Sequence, residues 1–171
     1  MKKLLALLSI ILLIGACNSN KEYATVEEMV EATKKNVELV EVSFLHDLMN
    51  SEEGTVFTLI DVREDAEHYA GYIPGSVHLS RGRLEFNIDK DEFWEETGLY
   101  KPAKDEIIVL YCKKGERSVL AADALKKLGY KKVYTIIGGW KTWERTYPDE
   151  YEKDLDKLGG HEAAPAKSGG C

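Results

Sequence analysis

The chain has 171 residues, 44% of them hydrophobic, and its formal net charge is −7. A chain of this length and composition can bury one ordinary core, so we expect one globular domain with appended segments. The acidic balance argues against nucleic-acid binding, which depends on an excess of Lys and Arg at the phosphate backbone. An anionic substrate would therefore need a local positive site.

The amino terminus has the layout of a secretory signal peptide. An apolar run over 4–14, interrupted only by Ser9, follows two lysines, and two small residues separate it from Cys17. The run is too short for a typical membrane-spanning helix. Residues 14–17 resemble the lipobox of bacterial lipoproteins, which implies that 1–16 is removed and that acyl chains on Cys17 anchor the protein. Because two lysines leave with 1–16, the formal charge changes from −7 to −9.

The lipobox resemblance implies a cell-envelope protein that is held to a membrane and faces the periplasm or the exterior. Asn18 differs from the aspartate that serves as an inner-membrane retention signal in some Gram-negative bacteria, so the choice between inner and outer membrane stays open. The alternative is a plain or uncleaved signal peptide with a cysteine nearby by chance.

Beyond a polar tether at 17–24, short apolar strands alternate with amphipathic helices. Thr25 and Glu28 form a capping-box pattern that starts the first helix. The predicted strands are 40–42, 56–60, 77–79, 107–111 and 133–137, and the predicted helices between and after them begin at Ser43, include 67–69, cover 117–128 and follow Gly138-Gly139. This alternation predicts an α/β domain over 25–147, with a parallel sheet flanked by helices on both faces. Residues 148–171, rich in charge, glycine and alanine, are predicted to be a flexible tail.

The strongest chemical signal lies directly after the strand at 107–111. Ligands of parallel sheets bind beyond the carboxyl ends of the strands, and Cys112-Lys-Lys-Gly-Glu-Arg117-Ser118 occupies that position. A thiol at a strand-to-helix junction faces unpaired backbone N–H groups, and Arg117 adds a permanent cation. Both favour the thiolate, and the loop amides are predicted to form an anion-binding nest. Ser118 is predicted to cap the helix.

The spacing Cys-x4-Arg resembles the active loop of the rhodaneses, whereas cysteine phosphatases and arsenate reductases of a related fold use Cys-x5-Arg. Further segments at 59–63, 71–77 and 138–143 fit the same family in the same order, so the resemblance runs over about 40–147. It implies a rhodanese-like fold and a sulfurtransferase that forms a persulfide on Cys112. The donor would be polysulfide or thiosulfate, and the acceptor a thiol, cyanide or sulfide. No metal and no organic cofactor is expected.

Within that family, the segment 80–85 resembles the periplasmic polysulfide-sulfur transferases. This closer resemblance implies that Arg63, Glu67 and Arg81 lie near the thiol, and it favours a homodimer. For Asp61 and Arg63, a structural pair and a substrate contact both remain open. The predicted site comprises two catalytic residues, Cys112 and Arg117, and the substrate-binding residues Lys113, Lys114, Gly115, Glu116, Ser118, Arg63, Arg81, Glu67 and Asp61.

Three alternatives accompany this interpretation. The protein could be a sulfur carrier that docks on a membrane sulfur reductase without free turnover, or an arsenate reductase or phosphatase, which the short loop argues against. A buried structural cysteine is also common after a strand. Cys171 could bring a second thiol to Cys112, although an inert chain end is favoured. His68, His78, Trp140 and Trp143 are interpreted as structural.

Overall fold

A parallel sheet forms the centre of the structure. The computed structural model describes residues 22–52 and 54–158, so the predicted signal peptide, the lipidation site Cys17 and the second thiol Cys171 lie outside the described residues. Within the described part, five strands pair in the order β1-β5-β4-β2-β3, and every pairing is parallel. The strands are β1 (Glu38–Val40), β2 (Phe57–Asp61), β3 (Val77–His78), β4 (Ile107–Tyr111) and β5 (Lys132–Ile136).

Helices cover both faces of this sheet, as predicted. They are α1 (Val26–Lys34), α2 (Val42–Met49), α3 (Asp65–Tyr69), α4 (Leu84–Asn87), α5 (Asp91–Thr97), α6 (Glu116–Lys127), α7 (Gly139–Thr146) and α8 (Leu155–Leu158). Successive side chains of a strand point to opposite faces, so Ile108 and Leu110 pack in one core and Val109 and Tyr111 in the other. The first core includes α1, α5 and α6, and the second includes α2 and α7. The central strand β4 is therefore buried on both faces, which explains its continuous apolar sequence.

Most predicted element boundaries shift by one or two residues. The predicted helix start is confirmed at α1, where Thr25 Oγ1 accepts the Glu28 N–H at 3.2 Å. The Glu28 carboxylate accepts the Ala24 N–H at 3.1 Å, so only the N-cap half of the capping-box pattern is present. The predicted strand at 40–42 is wrong in position, because β1 ends at Val40 and Val42 begins α2. Val42 is buried in the core beside Leu45, so its apolar side chain serves the helix and not the strand.

The segment 148–158 is ordered, which corrects the prediction of a flexible tail beginning at 148. Tyr72 and Glu152 exchange two backbone hydrogen bonds of 2.8 and 3.0 Å, and the Asp154 N–H donates to the Tyr69 carbonyl at 3.0 Å. The Trp143 indole N–H donates to the Glu150 carbonyl at 2.8 Å. No helix within 22–52 or 54–158 is long and apolar enough to cross a membrane.

Candidate active site

Cys112 lies where the central strand ends. It follows Tyr111 at the carboxyl end of β4, and only 1% of its surface is exposed. Its Sγ accepts a hydrogen bond from the Gly115 backbone N–H at 3.2 Å. Gly115 has a φ of +99° and begins α6 as its N-cap. Because this conformation is readily available only to glycine, Gly115 allows the loop to curl back onto the sulfur.

The turn between β5 and α7 is hydrogen-bonded to the backbone of the reactive loop. The Trp140 N–H donates to the Cys112 carbonyl at 2.8 Å, and the Lys141 N–H donates to the Lys113 carbonyl at 3.1 Å. Gly139 approaches so closely that an added Cβ would overlap the Cys112 carbonyl oxygen. The first turn of α7 therefore takes up two loop carbonyls, so these acceptors do not compete with the thiol for the loop amides. On its own, the Gly-Gly-Trp motif is weak evidence for the family. The close packing explains why a glycine is needed at position 139.

Arg117 stands beside the thiol in a bidentate ion pair with Glu67. Its Nη1 and Nη2 donate to the two carboxylate oxygens at 2.7 and 2.9 Å, and Glu64 lies 4.0 Å away. The pair raises the pKa of Arg117, to which the nearby Cys112 adds a smaller contribution, and the hydrogen bonds from Arg117 lower the pKa of Glu67. About a third of the Arg117 side chain is exposed, so it remains within reach of an anion from solvent.

Arg63 and Asp61 form a buried ion pair, which favours the structural one of the two interpretations that the sequence left open. Arg63 is 2% exposed, its Nε and Nη2 donate to the Asp61 carboxylate at 2.6 to 2.9 Å, and Nη2 also donates to the Gly71 carbonyl at 2.6 Å. Burial alone would raise the pKa of Asp61, but its hydrogen bonds with His68 and Arg63 hold it below the ordinary value. The guanidinium also lies over the Trp140 ring at 4.7 Å. Its Nε, its Nη2 and the face of the guanidinium are therefore engaged within the domain.

Arg81 is paired with a neighbouring carboxylate on its own segment. Its Nη1 donates to both Glu85 oxygens at 2.7 and 2.8 Å, and its side chain lines a groove with Thr33 of α1 and Leu120 of α6. Across the described part of the chain, no hydrogen bond or ion pair joins Arg81 to 112–117. The structure therefore pairs Arg81 with Glu85 and shows no direct contact between Arg81 and the loop.

The remaining predicted residues surround the loop in different ways. Lys113, Lys114 and Glu116 are exposed to solvent, and the two lysines add positive charge to the loop. Ser118 is fully buried and donates to the Gly115 carbonyl at 3.0 Å, so it is neither the helix N-cap nor open to substrate. Sequence reasoning missed Thr135, whose hydroxyl donates to Ser118 Oγ at 2.5 Å. A threonine inside a predicted strand carries no local signal of such a contact.

A strand-to-helix loop that presents a cysteine to a backbone amide, backed by an arginine five residues later, defines the rhodanese-like class of domain. The sequence model of the rhodanese-like domain matches residues 41–146. The chain therefore belongs to the rhodanese family, and it is a rhodanese-type sulfurtransferase.

Of three similar proteins, two are named as sulfurtransferases. A mitochondrial protein of Schizosaccharomyces pombe, provisionally named a thiosulfate sulfurtransferase, is 37% identical over 112 residues, which are 64% of this chain and 79% of that protein. The human single-domain sulfurtransferase TSTD1 superposes with a TM-score of 0.57 at 26% identity, over 63% of this chain and 95% of the human one. A Rhodopseudomonas palustris protein of unknown function, described as a possible tyrosine phosphatase, has a TM-score of 0.60 at 27% identity, over 74% of this chain and 94% of its own.

Proposed function

We propose that the protein takes sulfane sulfur from a small anionic donor, carries it as a persulfide on Cys112, and passes it to a thiol, cyanide or sulfide acceptor. The observation that carries this proposal is the position of Cys112 Sγ, which receives the Gly115 N–H while Arg117 is held alongside. An amide and a guanidinium together stabilise a negative sulfur without accepting a proton from it.

The first step is a displacement at sulfur. The Cys112 thiolate attacks the outer sulfur of the donor, a new S–S bond forms, and the donor S–S bond breaks. The leaving group departs with the electron pair, as sulfite from thiosulfate or as a polysulfide shortened by one sulfur. The negative charge of the bound persulfide then lies on its outer sulfur, close to the loop amides and to Arg117.

In the second step, the sulfur passes from Cys112 to the acceptor. A nucleophilic acceptor attacks the outer sulfur of the persulfide, and Cys112 leaves as the thiolate from which the cycle began. Since both leaving groups depart as anions, neither step needs a general acid at the site. The chemistry also calls on no metal or organic cofactor.

Polysulfide and thiosulfate remain the two candidate donors. The preference for polysulfide rests on the sequence resemblance of 80–85, because Arg63 and Arg81 are engaged in ion pairs elsewhere. The predicted cations on the Cys112 loop itself are Arg117, Lys113 and Lys114. The names of the thiosulfate sulfurtransferase relatives support thiosulfate as the alternative.

The decisive experiment is intact-mass analysis after treatment with each donor. We expect the mass to increase by one sulfur atom with polysulfide or thiosulfate, and cyanide to remove that sulfur. The variant Cys112→Ser should gain nothing, whereas Cys171→Ser should behave as the wild type. If Cys112 gains no sulfur from either donor, the proposed reaction is excluded.

Two other functions are separated by simple measurements. A sulfur carrier for a membrane sulfur reductase would form the same persulfide but would release sulfur only in the presence of that partner. A phosphatase, the activity suggested for the R. palustris protein, would hydrolyse an aryl phosphate. The loop of this chain has one residue fewer between cysteine and arginine than the phosphatase loop, so we expect no hydrolysis.

We also propose that the enzyme is lipid-anchored through Cys17 and works in the cell envelope. The support is the sequence around 14–17, which lies outside the described residues. Expression of Cys17→Ser should move the protein from the membrane fraction to a soluble or uncleaved form, and sedimentation of the purified domain would test the predicted homodimer. A Cys17→Ser protein that is cleaved after residue 16 and still remains in the membrane fraction would contradict the anchor.

A further inference from the structure

Two hydroxyl groups lie in the core where apolar groups would be expected. Thr135 and Ser118 are both fully buried, and the residues beside Thr135 in the sheet are Leu110 of β4 and Leu39 of β1. A valine has nearly the shape of threonine and the same preference for strands. Because a buried hydroxyl is costly unless it is hydrogen-bonded, packing alone does not explain a threonine here.

These hydroxyls form a directed chain that ends at the reactive loop. Thr135 Oγ1 donates to Ser118 Oγ at 2.5 Å, and Ser118 Oγ donates to the Gly115 carbonyl oxygen at 3.0 Å. The Gly115 N–H in turn donates to Cys112 Sγ at 3.2 Å. These hydrogen bonds therefore connect the middle of β5, a strand that carries no predicted site residue, to Gly115, the residue whose N–H contacts the thiol.

The hydrogen bonds from Thr135 and Ser118 reach the loop at the Gly115 carbonyl. Gly115 has no side chain, and its φ of +99° belongs to a region in which glycine moves freely. The Val119 N–H also donates to this carbonyl at 3.0 Å, so the Ser118 hydroxyl is its second donor. Two donors from different directions fix the plane of the peptide that follows Gly115. The N–H that Cys112 accepts belongs to the preceding peptide. Only the φ and ψ of Gly115 join the two peptide planes, so holding the second plane restricts the rotations that aim this N–H at the sulfur.

We propose that Thr135 and Ser118 are positioning residues that hold the Gly115 N–H on the Cys112 sulfur. Ser118 acts directly on the loop, and Thr135 orients the Ser118 hydroxyl by donating to it. This role rests on the proposed sulfur transfer at Cys112. Its consequence is that a hydroxyl seventeen residues beyond Ser118 sets the reactivity of the thiol.

The test compares Thr135→Val, which removes the hydroxyl, with Thr135→Ser, which restores it, and includes Ser118→Ala. A matched control is Thr33→Val, because Thr33 is also buried and donates to a backbone carbonyl, that of Met29 in α1, at 2.7 Å. The first readout is the rate of Cys112 alkylation by neutral iodoacetamide as a function of pH. The second is the rate of persulfidation by thiosulfate and by polysulfide.

We expect Thr135→Val and Ser118→Ala to shift the alkylation profile to higher pH by about half a unit to one unit, and to slow persulfidation at neutral pH roughly 3- to 10-fold, the range of one hydrogen bond. Thr135→Ser should recover most of both, and Thr33→Val should change neither. If the profiles of Thr135→Val and Ser118→Ala superimpose on that of the wild type, the hydroxyls serve stability alone and the positioning role is refuted.

The two proposals fail in different ways. If the wild type takes up no sulfur while the alkylation profile still responds to the hydroxyls, sulfur transfer is excluded and the positioning role stands. If Thr135→Val does not fold, Ser118→Ala and the backbone amide resonance of Gly115 provide the same test. That resonance should move when Ser118→Ala is introduced, and an unmoved resonance would overturn the proposal.

Discussion

The contact between Gly139 and the reactive loop makes a sharp prediction. Gly139 has a φ of +56°, and a Cβ at this position would overlap the Cys112 carbonyl oxygen and lie 3.1 Å from the Gly115 nitrogen. Both atoms are backbone, so the overlap cannot be relieved by rotating a side chain. In Gly139→Ala, the loop and the first turn of α7 must therefore separate.

The size of the effect can be worked out from two contributions. An alanine in the left-handed region costs about 1–2 kcal/mol. Overpacking against backbone adds about 1–3 kcal/mol, so the free energy of unfolding should fall by about 2–5 kcal/mol. Displacing the N–H that Cys112 accepts removes a charge-assisted hydrogen bond of about 1.5–3 kcal/mol, which corresponds to a 10- to 100-fold slower persulfidation.

The control for this prediction is Gly98→Ala. Gly98 ends α5 with a φ of +72°, and an added Cβ there meets nothing within 4 Å. This variant should lose only the backbone contribution of about 1–2 kcal/mol and retain its rate. Urea unfolding and mass-monitored persulfidation measure both quantities. Equal losses in the two variants would refute the idea that Gly139 packing shapes the loop.

Three further predictions concern the charged residues. Glu67→Gln should lower the KM for thiosulfate, because Arg117 is released from a competing carboxylate, while the free energy of unfolding falls by less than about 1 kcal/mol for this partly exposed pair. The pKa of Glu67 is lower in the folded protein than in the unfolded chain. The Glu67–Arg117 pair should therefore stabilise the wild type fully above the ordinary pKa of glutamate, and this stabilisation should be lost as the pH falls through the lowered pKa. Acid unfolding of Glu67→Gln should lack this pH-dependent loss. Asp61→Asn should reduce the free energy of unfolding by about 3–5 kcal/mol, because it leaves the Arg63 charge buried without its partner, and a loss below about 1 kcal/mol in urea unfolding would contradict a buried pair. Arg81→Ala should keep the polysulfide rate within about twofold, as expected for a surface pair, and a tenfold loss would restore the predicted substrate contact.

The parts of the site that sequence predicted well are those set by local spacing. The position of Cys112 at the strand end and the four residues before Arg117 follow from the chain itself, since a curled loop between a buried strand and a helix has few conformations. The alternation of apolar strands and helices likewise predicted the parallel sheet. The resemblance over 59–63 pointed to Asp61 and Arg63 but left open whether they pair with each other or contact substrate.

The parts that sequence could not predict depend on contacts between distant elements. Arg63 and Arg81 carry the same charge as Arg117, and only the surrounding fold determines which of the three guanidinium groups faces the thiol. The Thr135 hydroxyl finds its acceptor on α6, across the core. The anchoring of Glu152 depends on Tyr72, which precedes it by eighty residues, so composition alone suggested a free tail.

The strap at 148–158 has a practical consequence for anyone who shortens this chain. The family match ends at 146, which suggests a natural place to stop. A chain ending at 147 would lose the backbone hydrogen bonds of Tyr72 and Tyr69, and Tyr69 closes the short helix α3 that carries Glu67. Such a fragment would fold around the same sheet, yet the partner of Arg117 would stand on a helix without its outer support. Expression boundaries for this enzyme are therefore better placed after 158.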